Sequence, residues 1–336
     1  MSHPELAIIH TDLGPGTRIH SRFRPSTAPN TQLPLLVLLH GYPQNSSMYL
    51  DFVSQIPPEW DILIPDLPGY GQSTKPPSPD GSSRAHSKRE WAKDIMDVVD
   101  AISEPGAASR KIIAYGHDRG GRLAYRMALD FPERVVGLAV LDIVPTSYVW
   151  NQMSIVNFNH AETLHSHHWI FLSSPSPLPE TLINSNVDFY MRYTISSWLG
   201  TAQKNKSLNW VEKSIQPYTE PDGKGAARVT AACEDYRAGA TIDLQNDLHD
   251  LDPFGHSTPK PFAKIPVLFL LSNSLQTRFD AYEIWESFCS PEKLRTHLIG
   301  PGGSASDTVG HFLVNEAPEE VESHTRDWLK EFWGET

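Results

Sequence analysis

Read for its apolar and polar positions alone, the chain alternates short apolar runs with amphipathic stretches through its first 145 residues. Leu35–Leu39 is an unbroken apolar run of strand length that stops at His-Gly, and Ile62–Asp66 is a second that stops in a turn rich in Pro and Gly. Runs with no polar alternation fit strands covered on both faces. Residues 88 to 102 carry apolar side chains at helical period, Lys111–Gly116 predicts a strand entering a turn, Gly121–Phe131 a helix and Val135–Leu141 a further strand. Strands alternating with helices predict an α/β chain built on a mostly parallel, doubly wound sheet.

The pattern breaks at Pro145 into an aromatic and polar stretch, and continuous apolar character returns only at Ile265–Leu271. A structureless loop of that length is improbable in a globular chain, so the stretch reads as helices inserted between two core strands. The organisation is then a first core part over residues 1–146, a helical cap over 147–252 and a second core part over 253–336, whose final helix begins at about Pro318. Segments 74–87 and 252–262, rich in Pro, Ser and Gly, predict surface loops.

Composition narrows the partners. A chain of 336 residues that is 39% hydrophobic and 20% charged buries a large core, and its apolar stretch Leu33–Leu39 is too short to cross a bilayer. The opening Met-Ser-His-Pro-Glu-Leu has neither the basic segment nor the apolar core of an export signal, so a cytoplasmic location is expected. Cys233 and Cys289 are too few for a disulfide framework and read as buried thiols. A net charge of −12 disfavours nucleic acid and anionic membranes as partners, so an anionic small-molecule substrate needs a local positive patch. The assembly stays open, with a homodimer as the candidate.

Gly116-His117-Asp118-Arg119-Gly120 has the form glycine-x-nucleophile-x-glycine, with an apolar strand before it and a helix after it. That is the nucleophile elbow of the α/β-hydrolase fold, whose glycines permit a strained turn. Its usual serine is an aspartate here. A carboxylate can displace a leaving group from saturated carbon and form an ester that water then cleaves. His40-Gly41-Tyr42-Pro43 closes the strand at the fold's oxyanion-hole position, so the backbone N–H groups of Tyr42 and Arg119 are the candidate donors. Ester hydrolysis needs a base, and His311 stands just before the last helix, after the nucleophile and the acid in chain order. Asp142 ends the strand Val135–Leu141 and is the candidate orienting acid. Asp280 is the rival, but it sits well past the end of its strand. This chemistry needs neither metal nor organic cofactor.

Together with His40–Gln44, Gly116–Arg122, Leu141–Thr146, His168–Leu172, Cys233–Gly239 and Gly310–Leu313, the sequence resembles the fluoroacetate dehalogenases. These belong to the aspartate-nucleophile α/β-hydrolases that also include haloalkane dehalogenases and epoxide hydrolases. The resemblance implies Asp118 as nucleophile, Asp142 as acid and His311 as base. It further implies Arg119 and Arg122 as a clamp on a substrate carboxylate, and His168, Trp169 and Tyr236 as donors to a leaving halide. By residue type alone the two arginines would read as surface salt-bridge partners and the three cap residues as cap core. Two departures stand out: Leu271 occupies a position where the family carries tryptophan, and residues 252–262 are longer than usual.

The expected function is hydrolytic dehalogenation of small 2-haloacids. The enzymatic rival is an epoxide hydrolase, which shares the Asp118 attack but protonates an opening ring from cap tyrosines, for which Tyr190 and Tyr193 are available. A hydrolase-derived ligand receptor is the non-enzymatic rival, and the complete set Asp118, Asp142 and His311 speaks against it.

Overall fold

The computed structural model describes residues 6–28, 33–103, 110–204, 208–252, 260–300 and 308–334. Its strands are β1 (Ala7–Asp12), β2 (Arg18–Arg24), β3 (Leu35–Leu39), β4 (Ile62–Pro65), β5 (Ile112–His117), β6 (Val135–Leu141), β7 (Val267–Ser272) and β8 (Leu294–Ile299). They form one sheet in the order β1-β2-β4-β3-β5-β6-β7-β8. Only the β1–β2 and β2–β4 pairs are antiparallel.

Every residue of β3, β4, β5 and β7 is buried, which is why these strands read as unbroken apolar runs. Successive side chains point to opposite faces and so feed two separate cores. Leu35, Val37 and Leu39 join Trp91, Ile95 and Leu123 from the helices Lys88–Ala101 and Arg119–Asp130. Leu36 and Leu38 join Phe52, Val321 and Trp328 on the other face.

Among the described residues eight helices, from Thr146–Gln152 to Ile242–Asp250, lie between β6 and β7. The final helix, Pro318–Trp333, begins with its proline. Cys233 and Cys289 are buried and free. No helix among the described residues is long and apolar enough to cross a membrane.

Differences from the expected elements have local causes. The elbow helix starts at Arg119 rather than Gly121, because Asp118 is its N-cap and the glycine-rich first turn looks like a loop in sequence. Segment 74–87 does not lie wholly on the surface: His86 and Ser87 are buried beneath it, and the Ser87 hydroxyl caps the helix Lys88–Ala101. Of the expected loop 252–262, residues 253–259 lie outside the described residues.

Candidate active site

β5 delivers the chain into the elbow, where Asp118 has φ 49° and ψ −115°. A non-glycine residue in this region carries about 1–3 kcal/mol of backbone strain. The two glycines make the turn possible. A Cβ on Gly116 would lie 2.1 Å from the Gly120 carbonyl oxygen, and one on Gly120 would lie 2.2 Å from that of Leu39. The helix Arg119–Asp130 starts directly behind the carboxylate and presents its positive end to it.

The Tyr42 amide donates to Asp118 Oδ1 at 2.9 Å. The loop that carries Tyr42 is pinned by His40, whose Nε2 accepts from the Leu67 amide at 2.8 Å. Of the two backbone donors expected at the oxyanion hole only Tyr42 is engaged in the resting carboxylate; the Arg119 amide makes no hydrogen bond to the Asp118 side chain.

Asp118 Oδ2 lies 3.7 Å from His311 Nε2. His311 Nδ1 donates to Asp142 Oδ2 at 2.7 Å, and Asp142 Oδ1 accepts from the Ser272 amide at 2.7 Å. Asp142 directly follows β6 and has φ 54°. Asp280 stands apart: it is exposed at the start of the helix Ala281–Phe288. The His311 loop is held by Glu316, which accepts from the amides of Gly310 and Phe312, both at 3.0 Å, and from that of Gly200 at 2.8 Å.

Electrostatics couples these groups. Burial opposes charge on His311, but the carboxylates of Asp118 and Asp142 on either side of the ring outweigh it and raise its pKa to about 9. Burial likewise works against the Asp118 carboxylate, yet His311, His117 and Arg119 hold it well below the usual carboxylate range. The resting pair is therefore an imidazolium beside a carboxylate at neutral pH.

Neither arginine is on the surface. Arg122 is buried, donates from Nη1 to the Val144 carbonyl at 2.7 Å and stacks 4.6 Å from the Trp169 ring centre. Arg119 is fully buried, with its guanidinium 4.4 Å from the Tyr236 ring centre. Its charge is shared with Asp235. Arg119 Nε donates to Asp235 Oδ2 at 2.9 Å, and its Nη2 to the Asp235 carbonyl at 3.0 Å and to Oδ1. Asp235 also accepts from the Tyr70 hydroxyl at 2.8 Å and from Lys88 Nζ. Asp243 accepts from the Lys88 amide at 2.8 Å, closing a buried charge network beside the elbow.

A cavity of about 400 Å³ is lined by Asp118, Asp142, His311, Arg122, His168 and Trp169 among others. The structure thus brings six of the expected site residues to one space. Arg119, Tyr42 and Tyr236 lie outside its lining; the Tyr236 ring is 5.8 Å from His168 and 5.7 Å from Trp169. Burial keeps the His168 pKa well below its usual value, so the ring is neutral and carries one N–H. Tyr190 and Tyr193 do not line the cavity, and Tyr193 is 52% exposed.

Sequence reading misses Asp235, Lys88, Ser272, Glu316 and the cavity residue Trp198. Asp235 lies inside the segment Cys233–Gly239 that carries the family resemblance, and this adjacency to Tyr236 is the one signal that could have pointed to it.

Known proteins agree with this geometry at the level of the fold. Residues 34–273 match the family model of the α/β-hydrolase fold. The chain is 30% identical over 299 residues to a fluoroacetate dehalogenase from a Burkholderia species, covering 89% of this chain and 88% of that protein. It is 24% identical to the soluble epoxide hydrolase of Corynebacterium sp. strain C12, covering 85% and 86% of the two chains. The crystal structure of a candidate α/β hydrolase from Nostoc sp. PCC 7120 superposes with a TM-score of 0.75 at 30% identity, over 97% of each chain. With a strand–turn–helix elbow at Asp118 on an eight-stranded, mostly parallel sheet and a family match over most of its length, the chain belongs to the α/β-hydrolase fold family.

Proposed function

We propose that the chain is a hydrolytic dehalogenase of 2-haloacids, with the haloacetates as the simplest substrates and residues 147–252 as the cap over the elbow. One observation carries the reading. In the cavity beside the Asp118 carboxylate, Arg122 Nε and His168 Nδ1 are buried nitrogens with no hydrogen-bond partner. Buried polar groups in folded proteins are nearly always satisfied, so a pair of orphans beside a nucleophile marks the place of a ligand. The Arg122 guanidinium suits a carboxylate, with the charge of Arg119 behind it, and an imidazole backed by Trp169 and Tyr236 suits a halide.

In this mechanism Asp118 Oδ2 attacks the α-carbon in line, and the C–X bond breaks with its electron pair leaving on the halide. The product is an ester on Asp118. Water then adds to the ester carbonyl carbon, giving its proton to His311 Nε2, while the Tyr42 amide meets the charge developing on Oδ1. Collapse releases the 2-hydroxy acid and restores the carboxylate. The His311 pKa fits this order. Esterification removes the Asp118 charge, one of the two that stabilise the imidazolium, so His311 gives its Nε2 proton to solvent and the neutral ring can then accept one from the hydrolytic water.

The rival epoxide-hydrolase reading relies on cap tyrosines facing the nucleophile, and the positions of Tyr190 and Tyr193 do not favour it. The decisive experiment uses His311→Ala with chloroacetate. Intact-protein mass spectrometry should show one added carboxymethyl group, mapping to the peptide containing Asp118. Unmodified protein that still releases chloride would refute the mechanism. Diol formation from styrene oxide without halide release from any haloacid would install the rival.

A further inference from the structure

The cavity is several times the volume of a haloacetate. At about 30 Å³ per liquid water, chloroacetate displaces roughly three waters, or about 100 Å³. About three quarters of the 400 Å³ would then stay wet. Residual water beside a carboxylate nucleophile keeps it solvated and weakens the fixed donors around the leaving group, so a tight haloacetate enzyme has every reason to close this space.

The lining is of mixed chemistry and includes the polar His165, Ser166, Asn273 and Arg278. Asp118 and Arg122 in it are both buried. Val149, Leu275, Phe279 and Trp198 supply apolar surface, the first three of them buried. The lining also carries the exposed threonines Thr201 and Thr277. A buried charged pair of residues, buried apolar side chains and exposed threonines in one lining match an amphiphilic acid whose ionic end goes in first.

We infer that the preferred substrates are 2-haloacids bearing an apolar chain of several carbons on the α-carbon, R-CHX-COO⁻, with haloacetates turned over less efficiently. The carboxylate and the C–X bond sit at Arg122 and Asp118, and R lies along Val149, Leu275 and Phe279. The reaction is R-CHX-COO⁻ + H₂O → R-CHOH-COO⁻ + X⁻ + H⁺, with the same bond made to Asp118 and the same bond broken to halide. This inference rests on the dehalogenase reading and specifies its substrate class.

The test is halide release from chloroacetate, 2-chloropropanoate and racemic 2-chlorohexanoate, compared as kcat/KM. Each methylene buried in the wall is worth about fourfold. The hexanoate should therefore exceed the propanoate by on the order of ten- to sixtyfold. Ser274 stands half-buried in the cavity wall, and Ser274→Trp should cut the hexanoate-to-acetate ratio at least tenfold by filling the space. A flat or falling wild-type series would overturn the inference and leave the dehalogenase reading intact. A Ser274→Trp enzyme that folds and keeps the wild-type ratio would also overturn it. Halide release from none of the acids would overturn both readings.

Discussion

Replacing Asp235 with asparagine tests the buried network that holds Arg119. The carboxylate has four donors: Arg119 Nε at 2.9 Å, the Tyr70 hydroxyl at 2.8 Å, Arg119 Nη2 and Lys88 Nζ. None of the three charged side chains is more than 3% exposed, so solvent screens little of the interaction. Burial alone would raise the Asp235 pKa, but Arg119 and Lys88 pull it down to about 2, so the group is ionised at neutral pH. Asparagine keeps the shape and removes the charge, leaving two buried cations with Asp243, 3.8 Å from Lys88 Nζ, as the neighbouring carboxylate. Breaking a buried ion pair by deleting one partner costs about 3–5 kcal/mol. For a chain of 336 residues the unfolding entropy is about 0.7 kcal/mol/K, so Tm should fall by about 4–7 °C. Lys88→Met in the Asp235→Asn background should recover part of that loss, because it removes one uncompensated cation. On the dehalogenase reading, KM for a haloacid should rise more than kcat falls, since Arg119 loses the contact that orients its free Nη1. Thermal unfolding and initial-rate kinetics on the three proteins measure both effects. A Tm within about 1 °C of wild type would refute the network's structural role, and an unchanged KM its role in positioning Arg119.

Two further outcomes follow from the site. His311 has a folded pKa of about 9 against an ordinary 6.5, so its stabilising contribution is fully present below pH 6.5 and is lost as pH rises toward 9. Tm should therefore fall more steeply between pH 6.5 and 9 in wild type than in His311→Gln; parallel curves would contradict the coupling to Asp118 and Asp142. In Gly120→Ala the new methyl group would meet the carbonyl oxygens of Leu39 and His40 at 2.2 and 2.4 Å, both backbone atoms that have nowhere to go. The substitution should cost about 3 kcal/mol or more in a urea unfolding titration, and wild-type stability would refute the close-approach argument.

Much of the fold was legible because the inner strands are covered on both faces. Burial on both sides leaves no polar alternation, so β3 and β6 appear in sequence as apolar runs with their true boundaries. The edges were not legible, for the same physical reason reversed. β1, β2 and β8 mix exposed or half-buried positions with charged residues, as in Arg18-Ile-His-Ser-Arg-Phe-Arg24, so no apolar run marks them. Yet Arg24 is 1% exposed and donates to the carbonyls of Val53, Ile56, Pro57 and Trp60, a set of acceptors that only folding assembles.

The site divides along the same line. The position of Asp118 on an elbow follows from the sequence, because an apolar strand, two glycines and a helix are contiguous in the chain and their steric requirements are local. What sits around that carboxylate does not follow. Asp142 and His311 lie 169 residues apart, and Arg119 meets Asp235 across 116. Whether Arg119 is a free cation or half of a buried ion pair depends on which carboxylate the inserted helices bring to it. The size of the cavity depends in the same way on how far those helices stand from the helix after β7. Local sterics are written in neighbouring residues, whereas charge compensation and empty volume belong to segments that meet only when the whole chain has folded.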